Sequence, residues 1–319
     1  MTTLITGGTG FIGAEVVRLL LDKGEHKPVI FDINPTLQRL DDVAEHTDVV
    51  RGDLSNFSHV LHVVKAVKPT AIYHLGGMLS VPSEADPAAA LRTNALGMFH
   101  VLEAARLFEV PQVLFSSSIA TYRRDIQEEV LTDYTLQRPE LFYGATKVFC
   151  EHMGLFYKRK YGLDFRGVRY PSVVGPGVKT PGVVQYTSWA IEEAAKGKPF
   201  TIWVTPQARI PVIYFKDAAR ALVQLAEAPL QNINMVNYLI AGPTPTPSAG
   251  ELAELVQAKV PGAQIDFKPD PALQAILPLW PLDDSKARQE WNWTPHYSTQ
   301  ERIVDDFLRE LELHPHRYV

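Results

Sequence analysis

Gly7-Gly8-Thr9-Gly10-Phe11-Ile12-Gly13 follows directly on a strand-like run, Thr3-Leu4-Ile5, and opens a stretch of helical periodicity over 12–23. Two glycine spacings are met at once: G-x-G-x-x-G by Gly8, Gly10 and Gly13, and G-x-x-G-x-x-G by Gly7, Gly10 and Gly13. Residues without side chains let the backbone approach a pyrophosphate, and a helix N-terminus offers unpaired N–H groups and partial positive charge. The motif alone is weak, and a tight glycine turn without a ligand is the competing reading. The strand before it and the helix after it carry the reading as a phosphate loop.

Outward from this loop, short apolar runs alternate with longer helical patterns. Pro28–Phe31, Val49-Val50, Ala71–Leu75 and Val113–Phe115 read as strands, and 12–23, 57–67 and 87–108 as helices. Strands that are apolar throughout suit a parallel sheet covered on both faces. The alternation means βαβ units and, with right-handed crossovers, an α/β fold with a doubly wound parallel (Rossmann) sheet. A long helix over 141–161 is stopped by Gly162, and Phe165–Tyr170 is a further strand. Three prolines and three glycines then make 171–182 a loop. Helices follow at 183–196, 216–227, 248–259 and 299–312, with Thr246-Pro247 as N-cap and first-turn proline of the third. Asn237–Ala241 reads as a strand rejoining the main sheet. The expected division is an NAD-binding Rossmann domain over 1–170 and a smaller, interleaved substrate lobe over 171–319, with parts near 208–241 returning to the sheet.

Composition removes other classes. A chain of 319 residues with 46 % hydrophobic and 21 % charged residues can bury a core without staples. A net charge of −5 argues against a nucleic-acid or anionic-membrane surface. No apolar stretch is long enough to span a bilayer, and no basic leader precedes Thr3. The single cysteine, Cys150, excludes an internal disulfide framework. A cytoplasmic protein that binds neither nucleic acid nor membrane is expected. His59 and His62 lack metal-ligand partners at the right spacing, so no metal is expected; they and Lys158-Arg159-Lys160 read as surface.

Asp32 ends the second strand. A carboxylate there accepts hydrogen bonds from both ribose hydroxyls of NAD and repels a 2′-phosphate, so NAD is favoured over NADP. A strand-end turn aspartate is the plainer alternative. Asp53-Leu54, after the third strand, stands where an adenine amino group is met. Tyr143 and Lys147 lie four apart on a helix and so on one face. An ammonium beside a phenol favours the ionised form, and such a tyrosine serves as general base or acid at an alcohol or ketone. Ser116-Ser117-Ser118 ends a strand at the carboxyl edge where ligands bind in such sheets.

Taken together, Gly7–Gly13, the serine triplet, Tyr143-Gly144-Ala145-Thr146-Lys147 and Asn94 within Arg92-Thr93-Asn94 resemble the extended short-chain dehydrogenase/reductase family, which includes sugar-nucleotide epimerases and dehydratases. The resemblance implies a cofactor site of Gly7, Gly10, Phe11, Ile12, Gly13, Asp32, Asp53, Leu54, Gly76, Asn94, Tyr143, Lys147 and Tyr170. Tyr143 is then the acid/base, and Lys147 holds the nicotinamide ribose and tunes the phenol. Gly76-Gly77 passes beside the cofactor, Asn94 supports the site, and Tyr170-Pro171 reaches the nicotinamide amide through its backbone. Alignment to the family's F-S-S-S-x-x-x-Y pattern makes Ser118 the substrate-orienting hydroxyl, with Ser117 as fallback. The family also implies a homodimer through the helices at 87–108 and 141–161.

Further stretches resemble the epimerase-like L-threonine 3-dehydrogenase branch along nearly the whole chain: Gln137-Arg138-Pro139, Tyr161–Arg166, Arg169-Tyr170-Pro171, Arg209–Tyr214, Trp280-Pro281 and Asp283–Arg288. That branch oxidises the β-hydroxyl of a small amino acid. It carries a G-T-T-D-Y segment facing the substrate, where this chain reads Gly182-Val183-Val184-Gln185-Tyr186. Two valines cannot satisfy a buried ammonium or carboxylate, so a related hydroxy acid, polyol or less polar alcohol is expected in place of threonine. Ser80, Ser118, Tyr143, Val183, Val184, Arg209 and Trp280 make up the expected substrate site. The competing function is a sugar-nucleotide epimerase or dehydratase with tightly held NAD, in which Arg209 clamps a diphosphate.

Overall fold

The computed structural model describes residues 2–25, 27–122, 126–275, 277 and 280–318. The first half supplies six strands: β1 (Thr3–Thr6), β2 (Val29–Asp32), β3 (Asp48–Arg51), β4 (Ala71–His74), β5 (Gln112–Ser118) and β6 (Asp164–Tyr170). Between them run α1 (Gly13–Asp22), α2 (Phe57–Val67), α3 (Ser80–Ala85), α4 (Pro87–Ala90), α5 (Gly97–Leu107) and α6 (Phe142–Tyr161). The second half continues with β7 (Ser172–Val174), α7 (Tyr186–Ala195), β8 (Phe200–Ile202), β9 (Val212–Tyr214), α8 (Phe215–Glu227) and β10 (Asn237–Leu239). It ends with α9 (Ala249–Lys259), β11 (Ile265–Phe267), α10 (Pro271–Gln274), α11 (Ser285–Trp291) and α12 (Gln300–Leu313).

Seven strands form one parallel sheet in the order β10-β6-β5-β4-β1-β2-β3. The direction of winding reverses between β1 and β4, which opens a crevice at their carboxyl ends. The apolar strands bury both faces, as alternation in a pleated strand requires. Leu4 packs with Val60 and Val63 of α2 and Met98 of α5, whereas Ile5 packs with Val16 and Val17 of α1 and Leu222 of α8. Each such side chain contributes about 1.5–3 kcal/mol on burial. The remaining strands pair as β7 with β9 and β8 with β11 around a separate core that includes Tyr186, Ile191, Val256 and Phe307.

Several elements differ from the sequence reading. The single helix expected over 87–108 is broken by a π-helical turn, Leu91–Leu96. The widened turn lets Asn94 face the loop after β4, a common use of such bulges. α7 begins at Tyr186, so Val183 and Val184 lie in the turn before it. The N-cap of α9 is Ser248 and not Thr246: Ser248 stands three residues before Glu251, which completes a reciprocal capping box. Gly162 ends α6 in the left-handed region at φ 74°, as expected. Among the described residues, no helix is long and apolar enough to cross a membrane, and no group of three or more His, Cys, Asp or Glu is placed to hold a metal.

Candidate active site

The glycine loop lies in the crevice between β1 and β4. Gly7 takes φ 70°, and a Cβ there would come within 2.8 Å of Gly76 Cα; a Cβ on Gly13 would strike the Gly7 carbonyl oxygen. Bare backbone therefore lines the cradle, and α1 starts from it, so the residues present fit a pyrophosphate. The Asp32 carboxylate at the end of β2 accepts from Thr9 Oγ1 at 2.7 Å and from Asn34 N at 3.2 Å. It is thereby held beside the loop. Phe11 stacks on Phe215, 5.3 Å between centroids, and the Arg39 guanidinium lies 5.2 Å from the Phe11 ring centroid. Ile12, half-buried, sits at the N-terminus of α1. Gly76 N donates to Thr6 Oγ1 at 3.1 Å, and the same hydroxyl lies 2.8 Å from His74 Nδ1. Burial, and after it the Lys147 charge, lowers His74 to about 3, so its imidazole is neutral. Leu54 is buried against Gly76 and Gly97, and Asp53 Oδ1 accepts from Ser55 N at 2.8 Å.

The face of α6 turned to the sheet carries Tyr143 and Lys147. Lys147 Nζ donates to Ser116 O at 2.7 Å and stands 5.5 Å from the Tyr143 ring centroid. Gly144, between them in sequence, lies so close to the turn after β5 that a Cβ would meet the Ala120 carbonyl oxygen. That turn starts at Ser118, whose Oγ accepts from Ala120 N at 3.1 Å. Alternation along β5 separates the two serines. Ser117 is 2 % exposed and donates to Glu151 Oε1 at 2.6 Å, whereas Ser118 stays half-buried at the strand end. Ser117 is thus committed to Glu151 of α6, and Ser118 Oγ stands at the start of the turn against which Gly144 packs.

Asn94 ties these parts together. Its Oδ1 accepts from Met78 N at 2.7 Å, and its Nδ2 donates to Met78 O and to Thr146 Oγ1. Thr146 Oγ1 in turn donates to Tyr143 O at 2.7 Å. Glu84 of α3 accepts from Phe142 N at 2.7 Å, placing a carboxylate at the N-terminus of α6 where the helix dipole favours it. Cys150 is buried, and burial pushes its thiol up to about 12.

The expected substrate residues scatter more. Ser80 opens α3 and is half-buried. Val183 and Val184 pack against the second core, and their carbonyls accept from Trp203 Nε1 and Thr187 Oγ1, both at 2.8 Å. Trp280 packs against a small cluster of Tyr122, Leu131 and Leu239, against which Ile119 also packs. Arg209 does not face the Tyr143 helix with a free guanidinium: it is ion-paired to Glu251 at 3.0 Å and donates to Thr246 O at 2.7 Å. The Tyr170 phenol donates to Ala218 O at 2.7 Å, away from the crevice. Sequence reading missed Thr9, Glu84, Thr146 and Glu151. Only Glu151 left a signal, since it extends the four-residue spacing of Tyr143 and Lys147.

A parallel sheet of this order binds dinucleotides at its switch point, and similarity to known proteins makes the chain an NAD-dependent dehydrogenase acting on CH–OH groups. The chain is a member of the NAD dependent epimerase/dehydratase family, which it matches over residues 3–241. It is 31 % identical over 310 residues to the mitochondrial L-threonine 3-dehydrogenase of Bos taurus, covering 94 % of this chain and 80 % of that one. The solved GalE-like L-threonine dehydrogenase from Cupriavidus necator, in holo form, superimposes with a TM-score of 0.86 at 30 % identity over 97 % of this chain and 99 % of that one. The Thermus thermophilus UDP-glucose 4-epimerase in complex with NAD gives 0.82 at 27 % identity, over 97 % and 99 %. These similarities put the chain in the threonine-dehydrogenase-like branch of the extended short-chain dehydrogenases, with NAD as its cofactor.

Proposed function

We propose that this chain oxidises the secondary hydroxyl of a small hydroxy compound, with a substrate pocket altered from that of a threonine dehydrogenase. The observation that carries the reading is the docking of α6 on β5, which brings Tyr143 and Lys147 against the strand end bearing Ser118. Ser118 donates to, or accepts from, the substrate oxygen and orients it. Tyr143 takes the hydroxyl proton as general base, and returns it as acid in the reverse direction. Lys147, anchored by Ser116 O, supplies a fixed positive charge beside the phenol ring. Gly7, Gly10, Phe11, Ile12 and Gly13 hold the pyrophosphate, Asp32 the adenosine ribose, Asp53 and Leu54 the adenine, and Gly76, Asn94 and Tyr170 border the nicotinamide end. NAD, when bound there, supplies the acceptor for the hydrogen leaving the carbinol carbon. Ser80, Val183, Val184 and Trp280 enclose the substrate, and the valines favour a group less polar than an amino-acid zwitterion.

The sugar-nucleotide alternative draws on Arg209 for the diphosphate, and that guanidinium is spent on Glu251 and Thr246 O. We also infer a homodimer through α5 and α6, which expose Phe99, Leu107, Phe149, Leu155 and Phe156. A cytoplasmic setting suits the lone buried thiol of Cys150. The deciding experiment incubates the protein with NAD and a panel of hydroxy acids, polyols, threonine and UDP-sugars, following NADH by absorbance. NADH formation with a small hydroxy compound is expected; conversion of UDP-sugars alone, without net NADH, rejects the proposal. Light scattering of the purified chain reads the dimer.

A further inference from the structure

We propose that Glu151 is a positioning residue: it locks the serine-bearing end of β5 to the helix face that carries Tyr143 and Lys147. The inference rests on the function proposed above and names what sets its geometry. Tyr143, Lys147 and Glu151 recur every four residues, so they share the inner face of α6. Successive turns of that face grip successive residues of β5. Lys147 holds Ser116 through its carbonyl, and Glu151 holds Ser117 through its hydroxyl at 2.6 Å. The next residue along the strand is Ser118.

The grip extends to the neighbouring strand and loops. Ser117 and Arg169 are register partners on β5 and β6. Arg169 donates to Glu151 from Nε at 3.0 Å and from NH2 at 2.8 Å, and from NH1 to Tyr122 Oη at 2.8 Å and Asp133 O at 3.2 Å. Gln137, in the segment leading into α6, donates to Glu151 Oε2 at 3.0 Å. The Ser118 turn is therefore held on both sides, at Ser117 before it and at Tyr122 after it. Ser117, Glu151, Arg169 and Tyr122 are all buried.

A buried ion pair is poor value as a source of stability, because desolvation offsets most of the attraction. What this one supplies is a fixed relation between a strand end and a helix. A misplacement of about 1 Å between reacting groups costs on the order of 10²-fold in rate. Glu151 and Arg169 also line a cleft of about 370 Å³ with His152, Leu155 and Lys286.

The test uses Glu151→Gln in the full chain. Expected are a kcat lowered at least tenfold, a KM for NAD within twofold, and a larger deuterium isotope effect with carbinol-deuterated substrate, because the chemical step becomes slower relative to release. Unchanged kcat, or a loss matched by the inactive fraction with the isotope effect unmoved, overturns the proposal. Should Glu151→Gln fail to fold, Ser117→Ala removes only the link to β5; wild-type kcat in that variant overturns the proposal, and a several-fold loss at near-wild-type Tm supports it. If the wild-type protein converts only UDP-sugars, the function proposed above fails while the same kcat comparison still decides Glu151. Crystal structures read the displacement without activity: a shift of the Ser118 turn relative to Tyr143 is expected in Glu151→Gln, or in Ser117→Ala where only that variant folds, and superimposable ends reject the idea.

Discussion

Gly144 rests against the carbonyl of Ala120 with no room for a side chain. The contact joins the first turn of the Tyr143 helix to the turn that begins at Ser118. Gly144→Ala must therefore push the two apart. We expect kcat to fall about 10- to 100-fold with NAD affinity within a few-fold, as misplacement of reacting groups predicts. Steady-state kinetics with fluorescence titration of NAD checks both; undiminished kcat in a folded variant removes the geometric argument.

Tyr143→Phe keeps the ring and deletes the hydroxyl. Loss of a general acid/base costs about 10²–10⁴-fold, and NAD binding is expected to stay within a few-fold of wild type. Comparable turnover in the phenylalanine variant means that another group moves the proton.

Asp32 owes its position to Thr9, whose hydroxyl donates to it at 2.7 Å. Removing the carboxylate in Asp32→Ala takes away a charged acceptor for ribose hydroxyls and a repulsion toward a 2′-phosphate. The expected outcome is a tenfold or larger shift in the NAD/NADP ratio of kcat/KM toward NADP. An unaltered ratio places the ribose elsewhere.

Val183 and Val184 put two apolar side chains in the turn before α7. Weak activity on threonine is expected, and Val183→Thr with Val184→Thr together should raise kcat/KM for threonine about tenfold or more. Saturation of the wild-type protein at micromolar threonine would show that the valines do not set the substrate.

His74 gives a pH signature. Its folded-state value lies near 3 against 6.5 for the free side chain, so between those limits the unfolded chain binds a proton that the native one does not. Stability from this group is complete above pH 6.5 and is lost as pH falls. His74→Asn removes the loss. From pH 7 to pH 4.5 the wild-type protein should lose about 2–3 kcal/mol more than the variant. Urea unfolding at the two pH values measures the difference, and parallel losses exclude the imidazole as the cause.

The parallel sheet was legible because Leu4-Ile5, Val29–Phe31 and Val113–Phe115 are apolar on both faces, a pattern that partially covered sheets do not show. The phosphate loop and the Tyr143–Lys147 pair were legible because each is a local spacing on one element. That Ser117 is tied down was not legible, since its partner Glu151 lies thirty-four residues further along the chain. The π turn at Asn94 was hidden for a similar reason. Nothing in Leu91–Leu96 favours a wide turn by itself; the bonds to Met78 and Thr146 do. The ion pair of Arg209 was not legible either, because its partner Glu251 arrives from a helix forty-two residues further on.

The chain leaves the main sheet after Tyr170 and comes back at Asn237, where β10 zips onto β6. The segment between is thus stitched to the sheet at two neighbouring seams, and α8 within it packs into the core beside α1. A protease cut near Lys179 would yield two fragments that each retain an adjacent strand, and they should travel together through a gel-filtration column. The molecule is in this sense prepared for splitting, and a pair of separately expressed halves offers a direct route to reassembly on demand.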